Sequence, residues 1–229
     1  LSKLLKFYFW ERVFYMIIEY KFWFLDFFTK KKKLKLNLKY FTYYMKIFIS
    51  GCAGFIGSHL SERLLLDNHE IYGIDILNNY YNINKKINNL EILKNFKNFI
   101  FSEDNIINTE LITEFKPDIV INLAAMAGVR YSLDNPKIYI RTNIEGHVNL
   151  MEECVKNNVK QYIYASSSSV YGNNEKIPFN ENDDIKDPNS PYAASKICGE
   201  IMAKLYNKLY KLPVIGLRFF TVYGPRGRP

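Results

Sequence analysis

A glycine-rich corner directly after an apolar run is the feature that most constrains this chain. Residues 45–50 are mostly apolar, and Gly51, Gly54 and Gly57 follow at intervals of three before the helical pattern of residues 58–66. Glycines at this point let a phosphate group approach the backbone N–H groups at the start of the helix. The same spacing occurs in ordinary strand-to-helix turns, so the pattern predicts a dinucleotide site only where its context agrees.

The second predicted strand supplies that context. Residues 70–74 form a short apolar run, and Asp75 stands at its end, 18 positions after Gly57. An acidic residue at about this distance accepts hydrogen bonds from the adenosine ribose hydroxyls. Since a carboxylate would repel a 2′-phosphate, the sequence predicts a site for NAD rather than NADP.

Strand and helix patterns alternate along the rest of the chain, with strands that are apolar on both faces. This alternation is typical of an α/β fold, and we expect a Rossmann-like doubly wound parallel sheet with helices on both faces and ligands at the carboxyl ends of the strands. A loop and a surface helix are predicted up to about residue 95. Further strands are predicted at 98–101, 118–123, 161–165 and 213–218, and helices at 109–115, 138–157 and 191–210.

Charge divides the chain in two. Residues 1–44 carry a net charge of +7, whereas residues 45–229 carry +1. We expect residues 1–44 to be a leader outside the folded domain, disordered or not native, and residues 45–229 to be the NAD-binding domain. Alternatives for the leader are a basic membrane-surface anchor through residues 30–33 or nucleic-acid binding. We favour neither, and its apolar runs are shorter than the ~18 uncharged residues that a membrane helix needs.

Cysteine and histidine usage bounds the chemistry further. The chain has three cysteines, an odd number without a CxxC pair, which indicates a reduced, cytoplasmic setting. Its three histidines are scattered without the spacing of metal ligands, so no metal site is expected.

Tyr192 and Lys196 are the candidate catalytic pair. They lie four positions apart in a predicted helix and therefore project from one face. An ammonium at that distance favours the phenolate and makes the tyrosine a general base. The pair alone is a weak signal, but it follows a dinucleotide pattern and a serine-rich strand end at residues 166–169. Arg130 is a candidate for binding a carboxylate or diphosphate, with a surface salt bridge as the alternative, and Arg218 is expected to anchor its strand.

Five segments together carry a resemblance to a known family. They read GCAGFIGSHL, NLAAMAGVRYS, YASSSSVYG, PYAASK and LRFFTVYGPRGRP, and the resemblance that they carry spans residues 45–229. The chain resembles extended short-chain dehydrogenases/reductases of the NAD-dependent sugar-nucleotide epimerase/dehydratase family. Within that family it is most similar to the UDP-glucuronate 4-epimerases.

The resemblance implies an isomerase of nucleotide-sugar metabolism that converts UDP-glucuronate to UDP-galacturonate by transient oxidation to a 4-keto sugar. Tyr192 would be the base, Lys196 its electrostatic partner and ribose ligand, and Ser167 the hydroxyl that binds the reacting oxygen. A homodimer through the helices around Asn149 and Lys204 is also implied. The implied substrate contacts are Arg130, Ser167, Ser168 and Thr221. The cofactor contacts are Gly51, Gly54, Phe55, Ile56, Gly57, Asp75, Asp104, Leu123, Ala124, Ala125, Asn143, Tyr192, Lys196 and Phe220.

Departures from the family pattern shape the alternatives. Related dehydratases and decarboxylases typically carry an acid just before Val-Tyr-Gly, where this chain has Ser169, so simple epimerisation is favoured. Thr221 replaces the asparagine of galactose-type epimerases, and Ser50 replaces a threonine. Family members continue for roughly another hundred residues, so we expect the C-terminal substrate domain to be largely absent. The alternatives are a UDP-glucose 4-epimerase, another epimerase/dehydratase, or an inactive dinucleotide-binding fragment.

Overall fold

The computed structural model describes residues 44–227, and these residues contain one six-stranded sheet in which all pairings are parallel. The expected leader therefore lies outside the described residues, apart from Tyr44. The spatial order of the strands is β3-β2-β1-β4-β5-β6. The strands are β1 (Lys46–Ser50), β2 (Glu70–Asp75), β3 (Phe99–Glu103), β4 (Ile119–Asn122), β5 (Gln161–Ser167) and β6 (Val214–Phe219).

The central strands are buried on both faces, as a parallel sheet covered by helices requires. Phe48 of β1, Val120 of β4 and Tyr162 of β5 are each 0% exposed and belong to one apolar cluster. Helical residues such as Leu150 complete that cluster. The predicted α/β, Rossmann-like doubly wound sheet is confirmed, and all six predicted strands are present within about two residues of their expected ends.

The helices follow the strands in alternation. The helix that follows the glycine-rich corner and the helix that carries Tyr192 and Lys196 both lie where the sequence predicts them. The α-helices are α1 (Phe55–Leu66), α2 (Ile83–Lys94), α3 (Leu111–Phe115), α4 (Val129–Asp134), α5 (Pro136–Tyr139), α6 (Gly146–Lys156) and α7 (Pro191–Tyr210).

One predicted helix is not a single regular helix. The segment expected at 138–157 consists of α5, a π-helical stretch at Ile140–Glu145, and α6. Asn143 lies in that stretch, and its amide hydrogen-bonds both the backbone N–H and the carbonyl of Met126, which follows β4. These bonds tie the π-helical stretch to the end of β4. The short helix α4 was not predicted.

The strand order reverses at β1 and β4, which are neighbours in the sheet but far apart in sequence. Such a switch point opens a crevice at the carboxyl edge of the sheet. The expected site loops meet along this edge, because Gly51 follows β1, Asp75 ends β2, Ala124 follows β4 and Ser167 ends β5. Within residues 44–227, no helix is both long and apolar enough to cross a bilayer.

Candidate active site

A cavity of about 650 Å³ lies along the carboxyl edge of the sheet. Residues from the ends of all six strands, or from the loops that follow them, and from α7 line it. Most of the predicted site residues are among them: Gly51, Gly54, Phe55, Ile56, Gly57, Asp75, Asp104, Leu123, Ala124, Ala125, Ser167, Tyr192, Lys196, Phe220 and Thr221.

The three glycines of the corner have separate structural reasons. Gly51 has φ +75°, and a Cβ there would lie 2.7 Å from the backbone nitrogen of Ala124. A Cβ on Gly57 would lie 2.1 Å from the carbonyl oxygen of Gly51, so only glycine lets α1 pack against the loop. Gly54 meets only that same oxygen, at 3.2 Å, and begins α1 without a side-chain cap. The uncapped N-terminus of α1 at the cavity suits a pyrophosphate.

The hydroxyl of Ser50 connects the two strands of the switch point. It donates to Oδ1 of Asn122 in β4 at 2.7 Å and accepts from the backbone N–H of Ala124 at 3.4 Å. The serine therefore retains the hydroxyl expected at this position. This contact fixes the start of the Leu123–Ala125 segment, which lines the cavity.

Asp75 lies at the end of β2 with its side chain 6% exposed. Its Oδ1 accepts from the backbone N–H of Leu77 and from the Lys86 ammonium, each at 3.0 Å. The position agrees with an acid that binds the adenosine ribose. The sequence did not lead us to predict that Lys86 beside it is buried. The one sign of burial in the predicted surface helix is the helical spacing of Lys86 with Asn89, Leu90 and Leu93.

Tyr192 and Lys196 lie on the first turns of α7, and both line the cavity. The helix starts sharply, because Pro191 occupies its first position and the Ser190 hydroxyl accepts from the N–H of Ala193 at 3.1 Å. Nζ of Lys196 lies 6.0 Å from the centroid of the Tyr192 ring and donates to the carbonyl oxygen of Ala165 at 2.8 Å. Burial lowers the pKa of Lys196 to about 8.

Ser167 ends β5 beside this pair. Its Oγ accepts from both the N–H and the hydroxyl of Ser169, at 3.2 and 2.9 Å. Because the oxygen already accepts two hydrogen bonds, its own hydrogen is the part that can be donated to a ligand. This is the arrangement that a hydroxyl binding a reacting oxygen needs.

An ion-pair cluster that the sequence did not point to holds α7 against the sheet. Glu200, one turn after Lys196, accepts two hydrogen bonds from Arg218 of β6, at 2.9 and 2.8 Å, and one from Ser166 of β5, at 2.5 Å. Arg218 thus anchors its strand as expected. No short-range sequence pattern reveals its partner, because Glu200 lies 18 positions away.

A buried histidine makes a second attachment. His147 of α6 contacts the carbonyl oxygen of Gly199 at 3.2 Å through Nε2, and Nδ1 lies 3.0 Å from the hydroxyl of Tyr162. Burial lowers the pKa of His147 to about 3, so the ring is neutral at physiological pH. Its partners, Tyr162 of β5 and Gly199 of α7, connect α6 to the sheet and to the helix that carries Tyr192 and Lys196.

Three predicted contacts do not line the cavity. Asn143 is 6% exposed, and its side-chain amide forms hydrogen bonds with the backbone of Met126 and with the Ser195 hydroxyl of α7. Arg130 lies exposed on α4, and Ser168 lies in a 3-10 turn behind Ser167. Their roles in binding stay predictions. Within the described part of the chain, no group of three or more His, Cys, Asp or Glu side chains could hold a metal ion.

The fold and this cavity are those of a dinucleotide-binding protein, with Tyr192 and Lys196 together at the carboxyl edge of its sheet. The glycine corner and Asp75 lie along this edge, where the sequence predicts contacts with the pyrophosphate and the ribose of NAD. The sequence profile of the NAD dependent epimerase/dehydratase family matches residues 47–229. The chain belongs to that family.

Individual relatives narrow the comparison. The chain is 48% identical over 189 residues to Protein CapI of Staphylococcus aureus, covering 81% of this chain and 56% of that protein. It is 43% identical over 189 residues to a probable UDP-glucuronate 4-epimerase of Rhizobium meliloti, covering 81% and 55%. The crystal structure of the Bacillus cereus UDP-glucuronic acid 4-epimerase, in complex with UDP-glucuronic acid and NAD, superposes with a TM-score of 0.75 at 38% identity, covering 81% and 59%. The chain thus spans little more than half the length of these relatives.

Proposed function

We propose that this chain carries the cofactor-binding and catalytic part of an NAD-dependent nucleotide-sugar 4-epimerase, an isomerase that interconverts UDP-glucuronate and UDP-galacturonate. The observation that carries the proposal is that Tyr192, Lys196 and Ser167 line the same cavity as the glycine corner. A base and a hydroxyl beside a dinucleotide site are what reversible oxidation of a sugar alcohol needs.

Each residue has a distinct task in this proposal. Tyr192 removes the proton of the C4 hydroxyl, and Ser167 donates a hydrogen bond to the same oxygen. The Lys196 ammonium favours the tyrosinate while it stays charged, below a pH of about 8. The chemistry that NAD supplies when bound is reversible hydride transfer at C4, with no net oxidation.

The distribution of carboxylates supports epimerisation over elimination. Among the described residues that line the cavity, the acids are Asp75, at the end of β2, and Asp104, directly after β3. They lie on the opposite side of the switch point from Ser167, and Asp75 is paired with Lys86. Of the described residues that line the cavity beside Ser167 and Tyr192, none is therefore an acid that dehydration of the sugar could use.

Product analysis with the purified chain tests this function. UDP-glucuronate is incubated with the protein and NAD, and UDP-galacturonate is measured by chromatography, with Tyr192→Phe as the matched inactive variant. Product from the wild type alone supports the proposal. Product from UDP-glucose only would assign a UDP-glucose 4-epimerase, and NAD binding without any product would indicate a catalytically inactive fragment.

We also propose a homodimer that forms through α6 and α7. An apolar stripe at helical spacing supports it, because Ile201, Leu205 and Leu209 of α7 are 59%, 40% and 56% exposed. Sedimentation velocity should detect a dimer that the Leu205→Glu variant shifts to a monomer. Equal masses for the two proteins would contradict this interface.

We also propose a domain boundary at residue 45 and a cytoplasmic location for the protein. The first strand begins at Lys46, which supports residues 45–229 as the functional unit. A protein that starts at Met45 should keep its NAD affinity and show no binding to vesicles or nucleic acid. The described cysteines are all free thiols, which agrees with a cytoplasmic location that cell fractionation can test.

A further inference from the structure

A buried lysine sits beside the acid that is proposed to bind the adenosine ribose. The side chains of Lys86 and Asp75 are 7% and 6% exposed, and Nζ lies 3.0 Å from Oδ1. A buried ammonium is costly unless it is paired and hydrogen-bonded. Lys86 meets both conditions, because Nζ also donates to Oδ1 of Asn78 at 3.0 Å.

The hydrogen bonds orient the carboxylate. Both the Lys86 ammonium and the backbone N–H of Leu77 donate to the same oxygen of Asp75, Oδ1. Oδ2 receives neither of these bonds, and Asp75 and Lys86 both line the cavity. One carboxylate oxygen is thus held by the protein while the other is left for a ligand hydroxyl.

The helix that carries Lys86 is fixed to the glycine corner. The side-chain amide of Asn89, one turn later on α2, donates to the carbonyl oxygen of Ala53 at 2.9 Å and is buried. Asn82 caps the start of α2 by accepting from the N–H of Asn84 at 3.0 Å. The position of Lys86 is therefore set by the same loop that would receive the pyrophosphate.

The charge of the pair has a consequence for the choice of dinucleotide. An unpaired carboxylate repels a 2′-phosphate, whereas a carboxylate next to an ammonium presents little net charge to it. We propose that Lys86 is a selectivity residue, which orients Asp75 toward the ribose and weakens the discrimination of this site against NADP. This inference rests on the proposed NAD site.

Binding measurements with Lys86→Met test the inference. The dissociation constants of NAD and NADP are measured by calorimetry on the full-length protein freed of cofactor. Loss of one positive charge beside the phosphate should raise the ratio of the NADP constant to the NAD constant about tenfold. The control is Lys85→Met, because Lys85 is exposed on the same helix and donates to the carbonyl of Gly227 at 3.2 Å, and it should leave the ratio unchanged.

A second comparison avoids leaving Asp75 buried without its partner. Asp75→Asn keeps the shape of the acid, and the double variant Asp75→Asn/Lys86→Met contains neither charge. The double variant should bind NADP about tenfold more weakly than Asp75→Asn does. The affinities of the two variants for NAD should differ much less.

The outcomes separate this inference from the function on which it rests. A wild type that binds neither dinucleotide overturns the NAD site itself. A wild type that binds NAD, with an unchanged or lower ratio in Lys86→Met, overturns only the role of Lys86. Binding of NAD with no measurable NADP binding also overturns it, because the pair would then exclude phosphate as strongly as a lone carboxylate.

Discussion

Replacing Lys196 by methionine should make the protein inactive and more stable. The ammonium is held where burial lowers its pKa from 10.5 to about 8. Each pKa unit corresponds to about 1.4 kcal/mol, so the charged form costs about 3 kcal/mol of folding free energy at pH 7. Methionine keeps most of the side-chain volume but loses the hydrogen bond to Ala165, worth about 1 kcal/mol. The expected net gain is about 2 kcal/mol.

The sign of the pH dependence follows from the lowered pKa. Between pH 8 and 10.5 the unfolded chain binds more protons at Lys196 than the folded chain, so the wild type gains stability relative to the variant as pH rises. The stability difference should shrink by about 1 kcal/mol between pH 7 and pH 9. The cost is fully present below pH 8.

Urea unfolding of the cofactor-free proteins, followed by circular dichroism at both pH values, measures these differences. Lys208→Met is the control, because Lys208 is exposed on the same helix and should change stability by less than about 0.5 kcal/mol. The proposed epimerase activity should fall more than about a hundredfold in Lys196→Met. A variant that is less stable at pH 7, or a gap that does not shrink by pH 9, would refute the assignment of a desolvated ammonium at this site.

Four further substitutions, one of them with a matched control, test the architecture of the cleft. Gly57→Ala places a Cβ 2.1 Å from a backbone oxygen, so it should lower stability by about 3 kcal/mol or more in urea, whereas Gly54→Ala should fold normally and bind NAD at least about tenfold more weakly. Glu200→Gln leaves a partly buried arginine without its charge partner and should cost about 2 kcal/mol and reduce kcat, while the exposed control Glu145→Gln should cost less than about 0.5 kcal/mol by the same assay. Burial lowers the pKa of His147 from 6.5 to about 3 in the folded protein, so below pH 6.5 the unfolded chain binds a proton that the folded chain does not. The free energy of unfolding therefore falls as the pH falls, and from pH 7 to 5 the wild type should lose about 2 kcal/mol more than His147→Gln.

The sequence predicts those parts of the molecule that local pattern determines. The glycine corner, the acid at the end of β2 and the helical spacing of Tyr192 and Lys196 all depend on short segments, and the structure brings them to one cavity. The apolar strands were equally readable, because a parallel sheet buries both faces of a strand.

The contacts that hold the site together could not be predicted from the sequence in the same way. Glu200 of α7 meets Arg218 of β6, and His147 of α6 meets Tyr162 of β5, only because these helices pack on the sheet. Nothing in the local sequence of either partner indicates the other. The π-helical stretch was missed for a related reason. Its irregular backbone accompanies a tertiary contact of Asn143 with the end of β4, which helical periodicity does not encode.

The Asp75–Lys86 pair and the Tyr192–Lys196 pair belong to helices and strands on opposite sides of the switch point, and none of the hydrogen bonds described above joins them. The two lysines have different neighbours. Lys86 pairs with a carboxylate, whereas Lys196 lies near an aromatic ring and donates to a carbonyl oxygen. A row of tyrosine rings nevertheless runs between the two pairs, from Tyr81 beside Lys86 to Tyr139 beside Tyr192, so a substitution in α2 can change the packing around Tyr192.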